Sequence, residues 1–285
     1  YFCDGPSGLR KCNPTEGEGA ICATAMPTLS ALATTWNTRL AYLDGETIAD
    51  ECVEKGVSVI LAPGVNIKRT PLCGRNFEYF SEDPLVSGKM AAAELRGLKK
   101  QGVTGTLKHF AANNQEKKRH DVDSIVSERA LREIYLKGFE IAVKEAQADS
   151  VMTTYGRLNG VWTAGRYELN TTILRNQWGF TGIVMTDWWA KINNQSGTKG
   201  VGNDFASMVR AQNDIYMVCP QGDENRTDDN TLKELAAGTL TRGELQRSAT
   251  NICRQLMSLP AFARLNGETE TVEILHKPED KSDFD

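Results

Sequence analysis

Six short apolar runs alternate with longer stretches of helical periodicity along this chain of 285 residues. The runs are Tyr1-Phe2-Cys3, Val57 to Leu61, Val103 to Phe110, Asp149 to Tyr155, Ile183-Val184-Met185 and Asp214 to Val218. Between them, apolar residues recur at three- and four-residue spacing, which predicts helices. The predicted helices cover Pro27 to Lys55, Pro84 to Lys100, Ser127 to Gln147, Asn170 to Trp178 and Asp204 to Ala211. Gly45 is expected to divide the first of them. A last helix, Arg242 to Ser258, is stopped by Pro260. Strand and helix in strict alternation imply a parallel sheet with helices outside it. Alternation alone does not separate an open doubly wound sheet from a barrel.

The placement of polar groups bears on that choice. Asp4, Arg75, Lys108, His109, Tyr155 and Asp187 all lie at or just beyond the C-terminal ends of apolar runs. In a barrel, groups from several strand ends converge on one mouth. An open sheet concentrates its site at one switch point. No G-x-G-x-x-G follows the first run, and no P-loop sequence is present, so a nucleotide site has no support. A (β/α) barrel with about six units is therefore expected. Its focus is Gly179 to Trp189, where a Gly-containing turn launches a buried run that ends in Asp187, Trp188 and Trp189. Alone, Asp187 reads as a helix cap and the two indoles as core; at a barrel mouth they become a carboxylate beside apolar plates suited to a sugar face.

The composition, 40% hydrophobic, suits a large core. A net charge of −4 and a pI near 5.6 give no nucleic-acid footprint. No apolar run approaches the ~18 residues of a membrane span. The seven cysteines are scattered at 3, 12, 22, 52, 73, 219 and 253, without C-x-x-C spacing, and only three histidines accompany them. A zinc site is not expected. Thiols at apolar positions favour a reducing, cytoplasmic setting. Asn170, Asn194 and Asn225 form N-x-S/T triplets, which arise often by chance. The loop from Val65 to Pro84 is too long to be a mere connection, and its aromatics argue against disorder. A barrel unit over residues 1–265 is expected, followed by a charged tail or linker over 266–285, in which Val272 to Leu275 reads as a strand without a partner.

Five motifs together resemble the N-terminal barrel of glycoside hydrolase family 3. They are Asp4-Gly5-Pro6-Ser7-Gly8-Leu9-Arg10, Gly74-Arg75-Asn76-Phe77-Glu78-Tyr79-Phe80-Ser81-Glu82-Asp83-Pro84, Lys108-His109-Phe110, Met152-Thr153-Thr154-Tyr155 and Thr186-Asp187-Trp188. The long loop motif is highly specific; the others are weak singly and strong together. The resemblance covers residues 1 to about 265 and implies a TIM-like barrel that is often collapsed or incomplete. It implies a retaining β-glucosidase that needs no metal or organic cofactor. Asp187 matches the family's nucleophile. Arg75, Lys108 and His109 match residues lining the sugar pocket, Asp4 the acceptor for outer hydroxyls, Tyr155 a neighbour of the nucleophile and Trp188 an apolar wall. The implied substrate is a β-glucoside or oligosaccharide, with no membrane or nucleic-acid partner.

Each residue also has a plainer reading: Lys108 as a Schiff-base lysine, His109 and Tyr155 as core, and Arg75 with Glu82 as a surface ion pair; Asn113, Asn114 and Glu116, which follow the lysine-histidine pair, read equally as approaching the pocket or as solvated loop. A sugar-binding barrel without catalysis and a β-xylosidase or other exo-glycosidase of the family remain alternatives. One departure matters. Single-barrel members carry an acid/base histidine on the loop after the lysine-histidine pair, in a run closing in Asp-Ser/Thr-His. Here Asp123-Ser124-Ile125 closes that run and His120 stands early. The chain therefore resembles the two-domain type, whose acid/base glutamate lies on an α/β sandwich domain. Members whose sandwich precedes the barrel are similar in the Thr186-Asp187-Trp188-Trp189 variant and in the short tail.

Overall fold

The computed structural model describes residues 1–10, 23–193, 199–219 and 224–267. The predicted strand at Val272 to Leu275 and most of the charged tail lie outside them. Five strands form one parallel sheet: β1 (Phe2–Asp4), β2 (Val59–Leu61), β3 (Thr104–Phe110), β5 (Ser150–Thr153) and β8 (Ile183–Met185), hydrogen-bonded in that order. Their order follows the sequence, as in a barrel wound in one direction. The fold is a TIM-like barrel that stays open. The sixth predicted run does not form a strand: from Asp214 to Val218, only Ile215 bridges to Met185.

Side chains on these strands serve two interiors, because neighbours in a strand point to opposite faces. Val184 and Val151 pack outward with Leu107, Phe110 and Phe139 under the helices. Ile183, Met185, Met152 and Leu61 pack inward with Met217, filling the barrel's centre. The same parity carries Ile183 and Met185 to Asp187, so the carboxylate rises from the filled centre into the mouth.

The outer layer is α1 (Leu29–Thr34), α2 (Thr38–Glu54), α3 (Pro84–Lys100) and α5 (Lys137–Ala146). The first predicted helix divides at Trp36, whose φ is +51°, and not at Gly45. Asn37 caps the new start by accepting from the backbone N–H groups of Arg39 and Leu40. Gly45 instead permits close approach, since a Cβ there would lie 2.2 Å from the Glu94 carbonyl oxygen. The helix expected from Ser127 to Gln147 opens as α4 (Glu128–Ala130), widens to a π turn over Leu131–Tyr135 and resumes as α5. The one expected from Asn170 to Trp178 is a π-helix over Glu168–Gln177. A small second sheet joins β4 (Asp123–Ser124), β6 (Arg157–Leu158) and β7 (Val161–Trp162). These two-residue strands are too short for any period to reveal. The last elements are α6 (Phe205–Arg210), α7 (Thr231–Ala236), α8 (Arg242–Ser258) and α9 (Pro260–Leu265), with Pro260 starting α9 as well as ending α8.

The α2–α3 contact buries a liability. The carboxyl oxygens of Asp44 and Glu94 have no hydrogen-bond partner among the described residues. Burial pushes Asp44 up to about 7, and burial together with Asp44 raises Glu94 well above the carboxylate range. Raised values in the folded state mean that the pair's contribution is fully favourable below the unfolded carboxylate range near ~4. That contribution is lost as pH rises through about 7. Asp44→Asn is expected to leave stability unchanged at pH 3, below the unfolded carboxylate range, and to add about 3–4 kcal/mol at pH 8, read by urea unfolding at the two pH values.

Candidate active site

A cavity of about 460 Å³ opens at the C-terminal ends of the strands, lined by Asp4, Arg75, Lys108, His109, Tyr155, Asp187 and Trp188 among others. Seven side chains from five strand–helix junctions meet there. Each is delivered by a distinct local device. Asp4 ends β1 and Asp187 stands two residues beyond β8. Lys108 and His109 are consecutive, yet both line the cavity, where the register of β3 against β5 shifts between Leu107 and Phe110. Arg75 precedes a 3-10 turn over Asn76–Glu78 that lies close to the segment after β2, where a Cβ on Gly64 would fall 2.3 Å from the Glu78 carbonyl oxygen.

The polar contacts form one connected array. Lys108 Nζ donates to Asp4 Oδ1 at 2.7 Å and stands 3.1 Å from Glu78 Oε2. Arg75 Nε donates to Glu78 Oε1, so Arg75 pairs with Glu78 and not with Glu82. Glu78 thus joins the two cations through its two oxygens, at 3% side-chain exposure. Burial pushes Asp4 upward, but the charge and hydrogen bond of Lys108, with Arg10 and Arg75, outweigh it and hold the carboxyl below the usual range. Both carboxylates occupy the Lys108 ammonium, a setting unlike that of a free Schiff-base amine.

His109 is buried, and burial with Arg75 and Lys108 lowers it well below the ordinary imidazole value. Arg75 Nη2 lies 2.8 Å from Nε2, and the Tyr79 hydroxyl lies 3.0 Å from Nδ1. Arg75 has only donors, so Nε2 accepts and the proton sits on Nδ1. The 3.7 Å separation between His109 Nε2 and Asp187 Oδ2 is therefore not an ion pair. Asn66 clamps the His109 backbone from both sides, accepting its N–H and donating to its carbonyl, each at 2.8 Å. Asn113 donates to the Tyr79 hydroxyl at 2.9 Å.

Asp187 is the group left available. Its Oδ1 accepts the Trp188 N–H at 2.8 Å, while Oδ2 is buried with neither a backbone donor nor a cation bonded to it among the described residues; the Tyr155 hydroxyl is the side-chain donor beside the carboxylate. Burial raises the carboxyl above the usual aspartate value. The Trp188 N–H, Arg75, the neighbouring Tyr155 hydroxyl and Lys108 pull the other way. Burial and Asp187 push the Tyr155 hydroxyl upward, so it stays protonated. Tyr155 is held between the Arg119 guanidinium, 4.9 Å from its ring, and the His120 ring at 4.3 Å. Of the two tryptophans only Trp188 lines the cavity; Trp189, at φ +55°, is two-thirds exposed.

Residues 12–255 match the glycosyl hydrolase family 3 N-terminal domain. The chain belongs to that family. Within family 3 it is 55% identical to a beta-glucosidase of Ruminococcus albus, over 98% of this chain and 29% of that protein. It is 42% identical to an exo-alpha-(1->6)-L-arabinopyranosidase of Bifidobacterium longum, over 86% of this chain and 31% of that protein. Among solved structures, a beta-glucosidase of Paenibacillus barengoltzii superposes with a TM-score of 0.87 at 51% identity, covering 97% of this chain and 29% of that one. Beta-glucosidase 3B of Thermotoga neapolitana in complex with alpha-D-glucose superposes with a TM-score of 0.84 at 41% identity, covering 98% and 37%. The chain thus spans roughly a third of the length of these family 3 relatives.

Three charged lining groups were not predicted from sequence as site residues: Glu78, Arg10 and Arg119. The first two sit inside the quoted motifs, and their signal was an acid three residues after Arg75 and a base closing the first loop. Arg119 lies in an irregular polar loop that offers no spacing to read.

Proposed function

We propose that this chain is the nucleophile-bearing barrel of a retaining β-glucosidase. The observation that carries the reading is a buried carboxylate oxygen, Asp187 Oδ2, left without a bonded cation among the described residues in a cavity of about 460 Å³ whose other charges are paired. That volume suits one sugar ring held by a few placed polar groups. Asp4, Lys108, Arg75 and His109 supply acceptors and donors for its hydroxyls, and Trp188 an apolar wall. Oδ2 attacks the anomeric carbon as the glycosidic C–O bond breaks, giving a glycosyl ester. The departing oxygen takes a proton from a general acid, whose conjugate base then activates the water that releases the sugar.

The described cavity walls offer no suitable donor. Asp4 and Glu78 are engaged by cations, and His109 is neutral with Nε2 facing Arg75. We therefore assign the acid to a second domain of α/β sandwich type, in keeping with relatives about three times this length. Five free thiols among the described residues support a cytoplasmic setting. The arabinopyranosidase relative makes an α-L-arabinopyranoside the second substrate to try.

The test is intact-mass and peptide mapping after incubation with an activated 2-deoxy-2-fluoro-β-glucoside, whose leaving group departs with little acid help. A stable adduct on Asp187 is expected from this chain, together with negligible cellobiose hydrolysis. An adduct formed only when the sandwich domain is restored would show that sugar binding needs that domain. No adduct in either form would favour a binding protein, and robust cellobiose hydrolysis by the chain alone would sink the assignment of the acid to another domain.

A further inference from the structure

Among the described residues no sixth strand continues the barrel wall beyond β8, yet the edge of β8 is not bare. The segment from Asn213 to Met217 lies along it. Asp214 and Ile215 donate their backbone N–H groups to the Val184 carbonyl at 2.7 and 3.1 Å, and Thr186 donates to the Ile215 carbonyl at 2.9 Å. Met217 donates to the Thr186 hydroxyl at 2.9 Å, and Trp189 to the Met217 carbonyl at 2.6 Å. One rung is made differently. The Val184 N–H, which a sixth strand's carbonyl would have accepted, donates to Asp214 Oδ2 at 3.0 Å.

That carboxylate is saturated. Oδ2 also accepts from Arg175 Nη2 at 2.6 Å, and Oδ1 accepts from Ser248 Oγ and Asn251 Nδ2, each at 3.0 Å. Its side chain is fully buried. Arg175 in turn donates to the Gly182 carbonyl at 3.0 Å and the Gln212 carbonyl at 3.1 Å. One buried anion therefore ties the π-helix over Glu168–Gln177, helix α8 and the open edge of the three-residue strand that ends two residues before Asp187.

We infer that Asp214 is a positioning residue for Asp187, a side-chain substitute for the absent sixth strand that fixes where the attacking oxygen stands. It does not line the cavity and touches no substrate. The inference rests on the nucleophile reading above. A displacement of about 1 Å in a reacting group can cost roughly 100-fold in rate. The polar sugar contacts (Asp4, Arg75, Lys108 and His109) come from other strands, and the β8 segment adds only the apolar wall of Trp188, so binding is expected to change far less than the rate.

The experiment is inactivation kinetics with the same activated 2-fluoro glucoside on the wild type, Asp214→Asn and Ser248→Ala. Asparagine presents an N–H₂ to donors and so forfeits at least one of the four contacts. Asp214→Asn is expected to lower the first-order inactivation rate at saturation by about 100-fold, with the concentration for half-saturation within about threefold and the final labelling stoichiometry unchanged. Ser248→Ala, which keeps three contacts, is expected to show the same signature at about 3–10-fold, and it decides the matter if Asp214→Asn does not fold. A loss of stoichiometry without a change in rate, or a rise in the half-saturation concentration alone, would overturn the positioning role. A wild type left unlabelled both alone and with the sandwich domain restored would overturn the nucleophile reading and this inference with it; a labelled wild type whose variants react at its rate would overturn this inference only.

Discussion

Asp187→Asn is expected to lower turnover of an activated aryl β-glucoside by roughly 10⁴-fold or more, the scale on which loss of a covalent nucleophile is felt. The fold should survive. The amide oxygen keeps the Trp188 backbone hydrogen bond of Oδ1, and the Tyr155 hydroxyl beside the carboxylate can accept from the amide nitrogen instead of donating. Unfolding midpoints of the two proteins should agree while their rates diverge. The pH profile gives the same assignment from another side. Only the ionised carboxylate attacks, and burial holds Asp187 above the ordinary aspartate value. The acid limb of kcat/KM is therefore expected at higher pH than a solvent-exposed aspartate would place it. Measuring kcat/KM from pH 3 to 7 checks this, and an acid limb at the ordinary value would separate it from Asp187.

Lys108→Met is expected to damage both affinity and stability. The ammonium lies 2.7 Å from Asp4 Oδ1 and 3.1 Å from Glu78 Oε2, with its own side chain and that of Glu78 each 3% exposed. Removing it leaves Glu78 buried with Arg75 as its one cation, a change that costs about 3–5 kcal/mol when a buried pair is broken. Denaturant unfolding should show that loss, and KM should rise by at least about 100-fold as Asp4 loses its alignment. The stability change is pH-dependent in a definite direction. Asp4 lies below its unfolded value, so its pairing stabilises the fold above that value and is lost as pH falls through the folded one. Wild type and variant should converge on acidification.

The seven predicted site residues line one cavity because each ends a readable apolar run or sits in a motif of fixed order. What could not be read is how they are held. Asn66 and Asn113, which fix His109 and Tyr79, lie in loops where no periodicity points to a partner. The run from Asp214 to Val218 has strand composition, but its first side chain replaces a rung of the ladder, and sequence pattern does not distinguish the two. Gly45 looked like a helix breaker because glycine disfavours helix interiors. The break came instead at Trp36 and Asn37, where a capping side chain was available, and Gly45 proved to be a packing residue.

Among the described residues, β1 pairs only with β2, and it is three residues long. The proposed acceptor for the sugar's outer hydroxyls, Asp4, therefore belongs to an edge strand of the main sheet. Edges of this kind open locally at far lower free energy than the centre of a sheet. A bound sugar bridging Asp4 to Lys108 would act as the missing neighbour of that strand. Occupancy and local order in β1 are then two sides of one equilibrium: fraying of β1 would weaken the proposed grip on a sugar, and a bound sugar would add to the pairing that holds β1 to β2.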